Sequence, residues 1–278
     1  MDNFQLFKLK KAGLTNLNIL KIIEYQKTKK KSLSLRDMAV VSGCREPLLF
    51  MEQYKNLNSS VLRKEFNRFS SLSIFDKDYP LELKNIYNPP ALLFYKGNID
   101  LLQSKKLAIV GSRSSSQNGI DAVKKIVQEL GNRFVIVSGL ARGIDTSAHL
   151  AVLRNGGSSI AVIGTGLDMY YPKENKQLQD YIAHNHLLLS EYGPGSRPLK
   201  YHFPERNRII AGLSQGVVVA EAKLRSGSLI TSERALEEGR DVYAIPGNIL
   251  DGYSDGCHHL IQEGAKCITS GLDILNEY

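Results

Sequence analysis

The chain has little of what would assign it to several common protein classes. Its 278 residues include no tryptophan and three cysteines, Cys44, Cys257 and Cys267. An odd and sparse set of this kind argues against a disulfide framework and is typical of a reducing compartment. No apolar run reaches the roughly 18 residues that a membrane helix needs, and the N-terminus MDNFQLFKLK lacks the apolar stretch of a signal peptide. We therefore expect a cytoplasmic protein with no membrane segment.

Signatures of catalysis and of metal binding are missing too. There is no G-x-x-x-x-G-K-[ST] phosphate loop and no G-x-S-x-G nucleophile elbow. Cys257 precedes His258 and His259, but adjacent residues of a helix point apart, which does not suit a zinc site. Asp145 and Glu191 are the carboxylates to consider for acid–base chemistry, and no nucleophile accompanies them. We expect no metal, no cofactor and no enzymatic activity; the alternative is a Rossmann-like nucleotide hydrolase or transferase that uses Asp145 or Glu191.

Positive charge is concentrated in the N-terminal quarter of the chain. Residues 1–70 contain 14 Lys and Arg and 6 Asp and Glu residues, so their net charge of +8 equals that of the whole chain. The remainder is neutral overall, and an anion site there has to be local. The N-terminal excess is either a solvated helical surface, with Lys27, Lys29, Lys30 and Lys31 in an exposed turn, or an accessory nucleic-acid surface. We favour the solvated surface.

Residues 1–66 predict a small all-α domain. Thr15 can cap a first helix, and Ser34 with Asp37 forms a capping-box pattern ahead of a second. A third helix is predicted over 47–66. The domain has the size of a sterile-alpha-motif or a helix-hairpin-helix domain, and the pattern does not distinguish these two.

The rest of the chain alternates between apolar strands and helices. Residues 67–104 contain proline and asparagine turns and are predicted as a connector with a short strand at 92–95. The domain at 105–278 is predicted to have strands at 106–110, 134–138, 159–163, 187–190, 217–221, 241–245 and 265–268. Its helices are predicted near 117–130, 143–154, 174–184, 206–213, 228–238 and 256–263. This alternation indicates an α/β fold with a doubly wound, mostly parallel, Rossmann-like sheet.

Loops rich in glycine, serine and arginine follow four of the strands, where a parallel sheet binds its ligands. Gly111-Ser112-Arg113 occupies the phosphate-loop position of a Rossmann unit, although it is not a G-x-G-x-x-G dinucleotide fingerprint. An arginine there can bind phosphate through two hydrogen bonds, and Ser112 and the backbone N–H groups add donors. The chemistry of these loops predicts a polyanion site.

The second loop adds a basic residue between two glycines. Gly139 and Gly143 permit close backbone approach, and Arg142 lies between them. Asp145 can bond a ribose hydroxyl, cap the helix or pair with Arg142, and we favour the structural pairing. His149, among small residues of a helix, is expected in the core.

Aromatic and basic residues alternate in two later segments. After the third strand, Tyr170 or Tyr171 can stack on a base, and Lys173 can meet a phosphate. Further on, Arg206 and Arg208 stand at a predicted helix N-terminus, where the helix dipole disfavours cations. An anion that bridges Arg206 or Arg208 and the helix N–H groups would account for their position. Aromatic residues interleaved with arginines suit a single strand of nucleic acid.

Seven segments within about residues 72–270 resemble the DNA-processing protein A family, also called DprA or Smf. They are GSR, SGLARGIDTSAH, GTGLDMYYPKEN, LLLSEYGPG, FPERNRIIAGLS, EAKLRSGSLITSERALEEGRDVYAIPG and LIQEGA, in that order. The upstream YPLELKNIYNPPALLFYKG also matches the family. The resemblance implies an extended Rossmann-like fold that binds single-stranded DNA without catalysis, preceded by a sterile-alpha-motif-like domain.

The resemblance also implies a homodimer that protects incoming DNA and loads the RecA recombinase during natural transformation. The DNA-binding residues predicted from the loops and the resemblance are Gly111, Ser112, Arg113, Gly139, Arg142, Gly143, Tyr170, Lys173, Phe203, Arg206, Asn207, Arg208, Ser226 and Gly227. The dimer contact is predicted in the segment 257–265, at His258, His259 and Leu260. Many relatives carry a C-terminal winged helix, which we do not expect here because the chain stops at Tyr278.

Overall fold

The structure, a computed structural model, describes residues 1–30 and 32–278. Its N-terminal part consists of the helices α1 (Asn3–Lys11), α2 (Asn16–Lys29), α3 (Leu35–Ser42), α4 (Pro47–Asn56) and α5 (Ser59–Phe66). Asp2, Thr15 and Ser34 cap the first three, each accepting a hydrogen bond from the backbone N–H of the third helical residue.

Two predictions for this part need correction. The helix predicted over 47–66 is two helices, because Leu57 has an extended backbone and Asn58 caps a new helix. The predicted lysine turn is the end of α2, which contains Lys27 and Lys29 and is followed by Lys30, all exposed. Lys31, the last residue of that predicted turn, lies outside the described residues.

The described residues form one nine-stranded sheet. Its strands are β1 (Ser70–Ser73), β2 (Leu92–Gly97), β3 (Lys106–Val110), β4 (Val135–Ser138), β5 (Ser159–Ile163), β6 (Leu187–Ser190), β7 (Gly216–Val219), β8 (Asp241–Ala244) and β9 (Lys266–Cys267). Their spatial order is β1-β2-β6-β5-β4-β3-β7-β8-β9. All neighbours from β6 to β9 are parallel, whereas β1 and β2 are antiparallel. The predicted mostly parallel α/β fold is confirmed.

The segment predicted as a connector belongs partly to this sheet. It contributes β1, which was not predicted, and β2, which pairs antiparallel with β6. Leu92, Leu93 and Phe94 of β2 are fully buried, so this strand has apolar contacts on both faces of the sheet. The domain boundaries at 66 and 104 stay predictions.

Helices cover both faces of the sheet. They are α6 (Leu81–Lys84), α7 (Gln117–Leu130), α8 (Ile144–Arg154), α9 (Lys176–Asn185), α10 (His202–Leu213), α11 (Gly227–Glu237), α12 (Asp255–Gln262) and α13 (Leu272–Leu275). One face packs against α6, α10, α11 and α12. The other packs against α7, α8 and α13 near the centre and against α9 and the N-terminal helices at the β2–β6 end.

The N-terminal helices share a core with the sheet. The rings of Phe7 and Phe66 lie 5.4 and 5.9 Å from the ring of Phe94 in β2. These are edge-on contacts between aromatic rings, a favourable geometry. Among the described residues, no helix is long and apolar enough to cross a membrane.

Candidate functional site

A cleft of about 720 Å³ lies at the carboxyl ends of β3 and β7. The chain runs from β3 to β4, β5 and β6 on one side, and β7 and β8 lie on the other side, so the strand order reverses here. Open α/β sheets bind ligands at such a switch point. We call this the switch-point cleft. Eight of the predicted site residues line it, namely Gly111, Ser112, Arg113, Phe203, Arg206, Asn207, Ser226 and Gly227.

A buried carboxylate that the sequence analysis missed organises the walls of this cleft. The backbone carbonyl of Glu221, which follows β7, accepts a 2.6 Å hydrogen bond from the N–H of Ser112. Its carboxylate accepts hydrogen bonds from the N–H and Oγ of Ser116, at 2.8 and 2.6 Å. Glu221 therefore links the loops after β3 and β7. The signal for this role was its position directly after an apolar strand, opposite the Ser-rich loop.

An arginine and two aromatic rings lie together at the mouth of the cleft. The guanidinium of Arg113 lies 5.5 Å from the centre of the Phe203 ring. The centres of the Phe203 and Tyr171 rings are 5.3 Å apart. Arg113 is exposed and Tyr171 is 44% exposed. Within the described part of the chain, Arg113 forms no ion pair, so its charge faces solvent. Cationic and aromatic groups are thus presented side by side.

Two lysines missed by the sequence analysis add charge to the lining. Lys200 precedes α10 and Lys223 follows β7, and both are exposed. The Lys223 ammonium lies 5.2 Å from the centre of the Tyr253 ring. Their position beside predicted site loops was the available signal.

Arg206 is a structural residue at the base of the cleft, and the prediction about its helix was wrong. Helix α10 begins at His202, so Arg206 is in its second turn and not at its N-terminus. The side chain is 5% exposed, and Nη1 donates to the carbonyls of Gly139 and Val162, the latter at 2.8 Å. Burial lowers the pKa of Arg206, while the nearby Asp145 carboxylate opposes that shift.

Arg208 is also buried, and its charge is matched inside the protein. Its Nη2 donates to Glu191 at 2.6 Å, and Lys10 of α1 donates to the same carboxylate at 3.0 Å. Burial raises the pKa of Glu191, but the two cations outweigh this and hold it below its ordinary value. Arg208 is not part of the cleft lining. An anion bridging Arg206 or Arg208 and the N–H groups of the helix N-terminus is therefore not supported, because both guanidinium groups bind internal acceptors and lie beyond the first turn.

The predicted pairing of Asp145 with Arg142 is wrong, because each side chain has other partners. Asp145 accepts hydrogen bonds from the N–H groups of Gly139 and Ala141, at 3.1 and 3.3 Å. Burial raises the pKa of Asp145, although Arg206 and the N–H donors oppose this. Arg142 instead forms an ion pair with Glu174. The structural role expected for Asp145 is retained with different partners.

At three glycines predicted to allow a ligand to approach, the space that a side chain would take is occupied by other atoms of the protein. A Cβ at Gly139 would overlap with the Arg206 guanidinium, and one at Gly143 would overlap with the carbonyl of Ser112. A Cβ at Gly111 would lie 2.7 Å from the Ile144 side chain. Gly227 differs, because nothing lies within 4 Å of the position its Cβ would take. Only at Gly227 among these four does the missing side chain leave open space in the cleft.

Other predicted site residues lie away from the cleft. Gly139 and Arg142 line a smaller adjoining pocket with Arg113, Tyr171 and Phe203. Tyr170 donates to Asp180 at 2.9 Å, and Tyr171, not Tyr170, contacts Phe203. Lys173 is exposed in a short 3₁₀ helix, Lys173–Asn175, outside the cleft lining.

The predicted dimer segment and the cysteine–histidine cluster have structural contacts. Leu260 is 8% exposed and lies in the core of its own chain, so it does not present a free apolar surface. His258 Nε2 is 3.0 Å from the Gly247 carbonyl oxygen, and His259 is exposed. In residues 1–30 and 32–278, no cluster of metal-ligand side chains is found. His149 is fully buried as predicted, and burial lowers its pKa to about 3.

Comparison with known proteins agrees with this architecture. Residues 70–278 match the family model of DNA recombination-mediator protein A. Residues 1–62 match the DNA processing protein A sterile alpha motif domain, which decides between the two helical domains considered above. The DNA processing protein DprA of Streptococcus pneumoniae is 63% identical over 100% of this chain and 99% of its own length. That of Bacillus subtilis is 49% identical over 75% of this chain and 71% of its own length.

Solved structures give the same assignment. The crystal structure of DNA processing protein A from Streptococcus pneumoniae aligns with a TM-score of 0.98 at 63% identity, covering 100% of this chain and 98% of that one. DNA processing protein A from Helicobacter pylori, described for its single-stranded DNA binding mode, aligns with a TM-score of 0.68 at 31% identity, covering 76% of this chain and 95% of that one. The family match over most of the chain and these alignments lead to one conclusion: the chain belongs to the DNA recombination-mediator protein A family.

Proposed function

We propose that this protein binds single-stranded DNA in the switch-point cleft and does so without catalysing a reaction. The observation that carries the proposal is the exposed Arg113, which has no ion pair in the described chain and lies against Phe203 beside Tyr171. Phosphates would meet Arg113, Lys200 and Lys223, and the open space at Gly227 would admit the sugar-phosphate backbone.

The aromatic residues favour a single strand over a duplex. Stacking on a side chain requires the exposed face of a base, which a duplex hides between neighbouring base pairs. Phe203 and Tyr171 present ring surface at the mouth of the cleft, in contact with the same arginine that would hold a phosphate. Stacking of this kind tolerates any base, so we expect little sequence preference.

Family membership supports a proposal for the cellular role. We propose a homodimer that protects incoming DNA and loads the RecA recombinase onto it during natural transformation. The Streptococcus pneumoniae relative matches along its whole length, and the Helicobacter pylori relative is described as binding single-stranded DNA. Loading is tested by strand exchange with purified RecA on DNA coated with single-strand-binding protein. Stimulation by this chain supports the role, and its absence contradicts it.

The nucleotide-enzyme alternative has little support in the site. Glu191 is held in ion pairs with Lys10 and Arg208, and Asp145 is held by two backbone N–H groups. Asp145 lines the cleft, but it is 5% exposed and lies beside the buried Arg206, so little of its carboxylate is open to a substrate. Product formed from a nucleotide panel by the wild type, and lost in Asp145→Ala, would overturn the non-enzymatic assignment.

DNA binding is tested by fluorescence anisotropy with labelled oligo-dT and with a duplex, over a salt series. We expect tight, salt-sensitive binding of the single strand. Arg113→Ala should weaken it and reduce the slope of log K against log salt by about 0.7, the value for one phosphate contact. Lys84→Ala is the control, because Lys84 is exposed on α6 and lies outside the cleft lining. An equal loss in both variants, or no binding by the wild type, contradicts the proposal.

A further inference from the structure

A second groove, of about 410 Å³, runs between α7 and α8 on the face of the sheet opposite α10. We call it the α7–α8 groove. Its lining includes the apolar residues Ile120, Leu150 and Ala151, and Leu150 is 37% exposed. Three cations line it, namely Lys124, Arg142 and Arg154. Apolar surface between cations is the combination that bases and phosphates of a single strand require.

The groove is continuous with the switch-point cleft. Arg142 lines the α7–α8 groove, and it also lines the small pocket formed with Arg113, Tyr171 and Phe203. Arg113, Tyr171 and Phe203 in turn line the switch-point cleft. A ligand that extends from the cleft past Tyr171 therefore meets Arg142 and then the groove.

The α7–α8 groove has an excess of positive charge in its lining, which a neighbouring cavity beside α1 does not have. Glu174 is the one carboxylate that lines the groove among the described residues, and it pairs with Arg142. Both partners are largely exposed, at 64% for Arg142 and 50% for Glu174, so a phosphate can replace the carboxylate at little loss. The cavity beside α1 is lined by two carboxylates, Glu191 and Glu205, and by two lysines, Lys10 and Lys11, so its lining has no excess of positive charge.

We propose that the α7–α8 groove is a second binding site for single-stranded DNA, which holds the strand after it leaves the switch-point cleft. Arg142 and Arg154 would bind its phosphates, and Leu150 would contact its bases. From Ile144 to Arg154, α8 rises by about 15 Å, which corresponds to about four nucleotides at the spacing of a stacked strand. This inference rests on the proposed function, because it extends the same DNA path.

The test compares oligo-dT of about 6 and about 20 nucleotides, lengths that bracket common single-strand site sizes. Arg154 is exposed at the end of α8, and among the described residues it forms no ion pair. Arg154→Ala should weaken binding of the long oligonucleotide about fivefold, the upper range for one exposed charge contact. It should leave binding of the short one unchanged. Lys84→Ala should change neither, and thermal melting checks that all variants fold.

For a second variant we expect the affinity for the long oligonucleotide to rise. Glu174→Gln removes the carboxylate that competes with phosphate for Arg142, so it should tighten binding of the long oligonucleotide by about twofold to fivefold. The inference is overturned if Arg154→Ala affects both lengths equally or neither, or if Glu174→Gln has no effect on the long one. If the wild type fails to bind the short oligonucleotide, the proposed DNA binding in the switch-point cleft is wrong. That outcome is distinct from a failure of the groove proposal alone.

Discussion

Arginines in two regions at the carboxyl edge of the sheet have opposite environments. In the loop after β3, Arg113 is exposed, contacts one aromatic ring and has no ion pair among the described residues. In α10, Arg206 and Arg208 are 5% and 6% exposed and bind two carbonyls and two carboxylates. In the sequence each of the three stands directly beside a polar residue, Ser112 for Arg113 and Asn207 for both Arg206 and Arg208. The difference is whether the fold brings internal acceptors to the guanidinium.

This contrast separates ligand binding from structural support. A buried guanidinium is stable only when its donors are matched, and its removal leaves acceptors or charges without a partner. An exposed one can be removed with little effect on folding and remains available for phosphate. The two arginine environments can therefore be separated by measuring stability and DNA binding on the same variants.

The largest effect is expected from Arg208→Ala. It leaves the buried Glu191 with Lys10 as its remaining cationic partner, and breaking a buried ion pair lowers the free energy of unfolding by about 3 kcal/mol or more. Denaturant unfolding should show this loss, whereas Arg113→Ala should change stability by less than about 0.5 kcal/mol. Equal stability of the two variants would contradict the structural role of Arg208.

An effect of intermediate size on stability is expected when alanine replaces a glycine beside the buried Arg206. In Gly139→Ala the new methyl displaces the Arg206 guanidinium from its carbonyl acceptors, so we expect a loss of about 2 kcal/mol in unfolding free energy, within the range for an unsatisfied buried group.

Gly227→Ala is the matched control, because its methyl meets nothing within 4 Å. It should leave stability unchanged while weakening DNA binding, since the methyl enters the cleft. A destabilised Gly227→Ala protein, or a Gly139→Ala protein as stable as the wild type, would reverse the assignment of the two glycines.

The smallest effect is expected from Phe203→Leu. Leucine keeps apolar contact with Tyr171 but has no ring face for Arg113 or a base, and one stacking contact is worth about 1 kcal/mol at the low end of its range, or about fivefold in affinity. Anisotropy with oligo-dT measures this loss. Tyr170→Leu provides the comparison, because Tyr170 contacts Asp180 and not Phe203, and it should bind the single strand as well as the wild type does.

Much of the sheet could be predicted from local sequence, for identifiable reasons. The strands β3, β5 and β6 begin and end where predicted, because each is a short run of apolar residues bounded by polar ones. Helix α7 spans Gln117–Leu130 as predicted, with Ser116 as its cap. By contrast, β1 has the sequence SSLS, which carries no apolar alternation, and it forms because β2 offers an edge to pair with.

The sequence predicted where the candidate cleft lies, but not how its residues are paired inside the protein. The rule that ligands meet the carboxyl ends of parallel strands correctly brings Arg113, Phe203 and Gly227 into one cleft. It cannot show that Arg142 pairs with Glu174, 32 residues away, in place of Asp145. Nor can it show that a lysine from α1 reaches Glu191, 181 residues away.

The sequence by itself determined the alternation of strands and helices, the helix caps at Thr15 and Ser34, the burial of His149 and the family. These depend on residue type and on spacing within about one element, which the sequence states directly. Only the tertiary structure decided that Arg206 and Arg208 are internal, that Leu260 is in the core, and that β1 joins the sheet. Those outcomes depend on contacts with residues that are distant in the chain. The type of a charged or apolar residue does not show whether the fold brings such a contact to it.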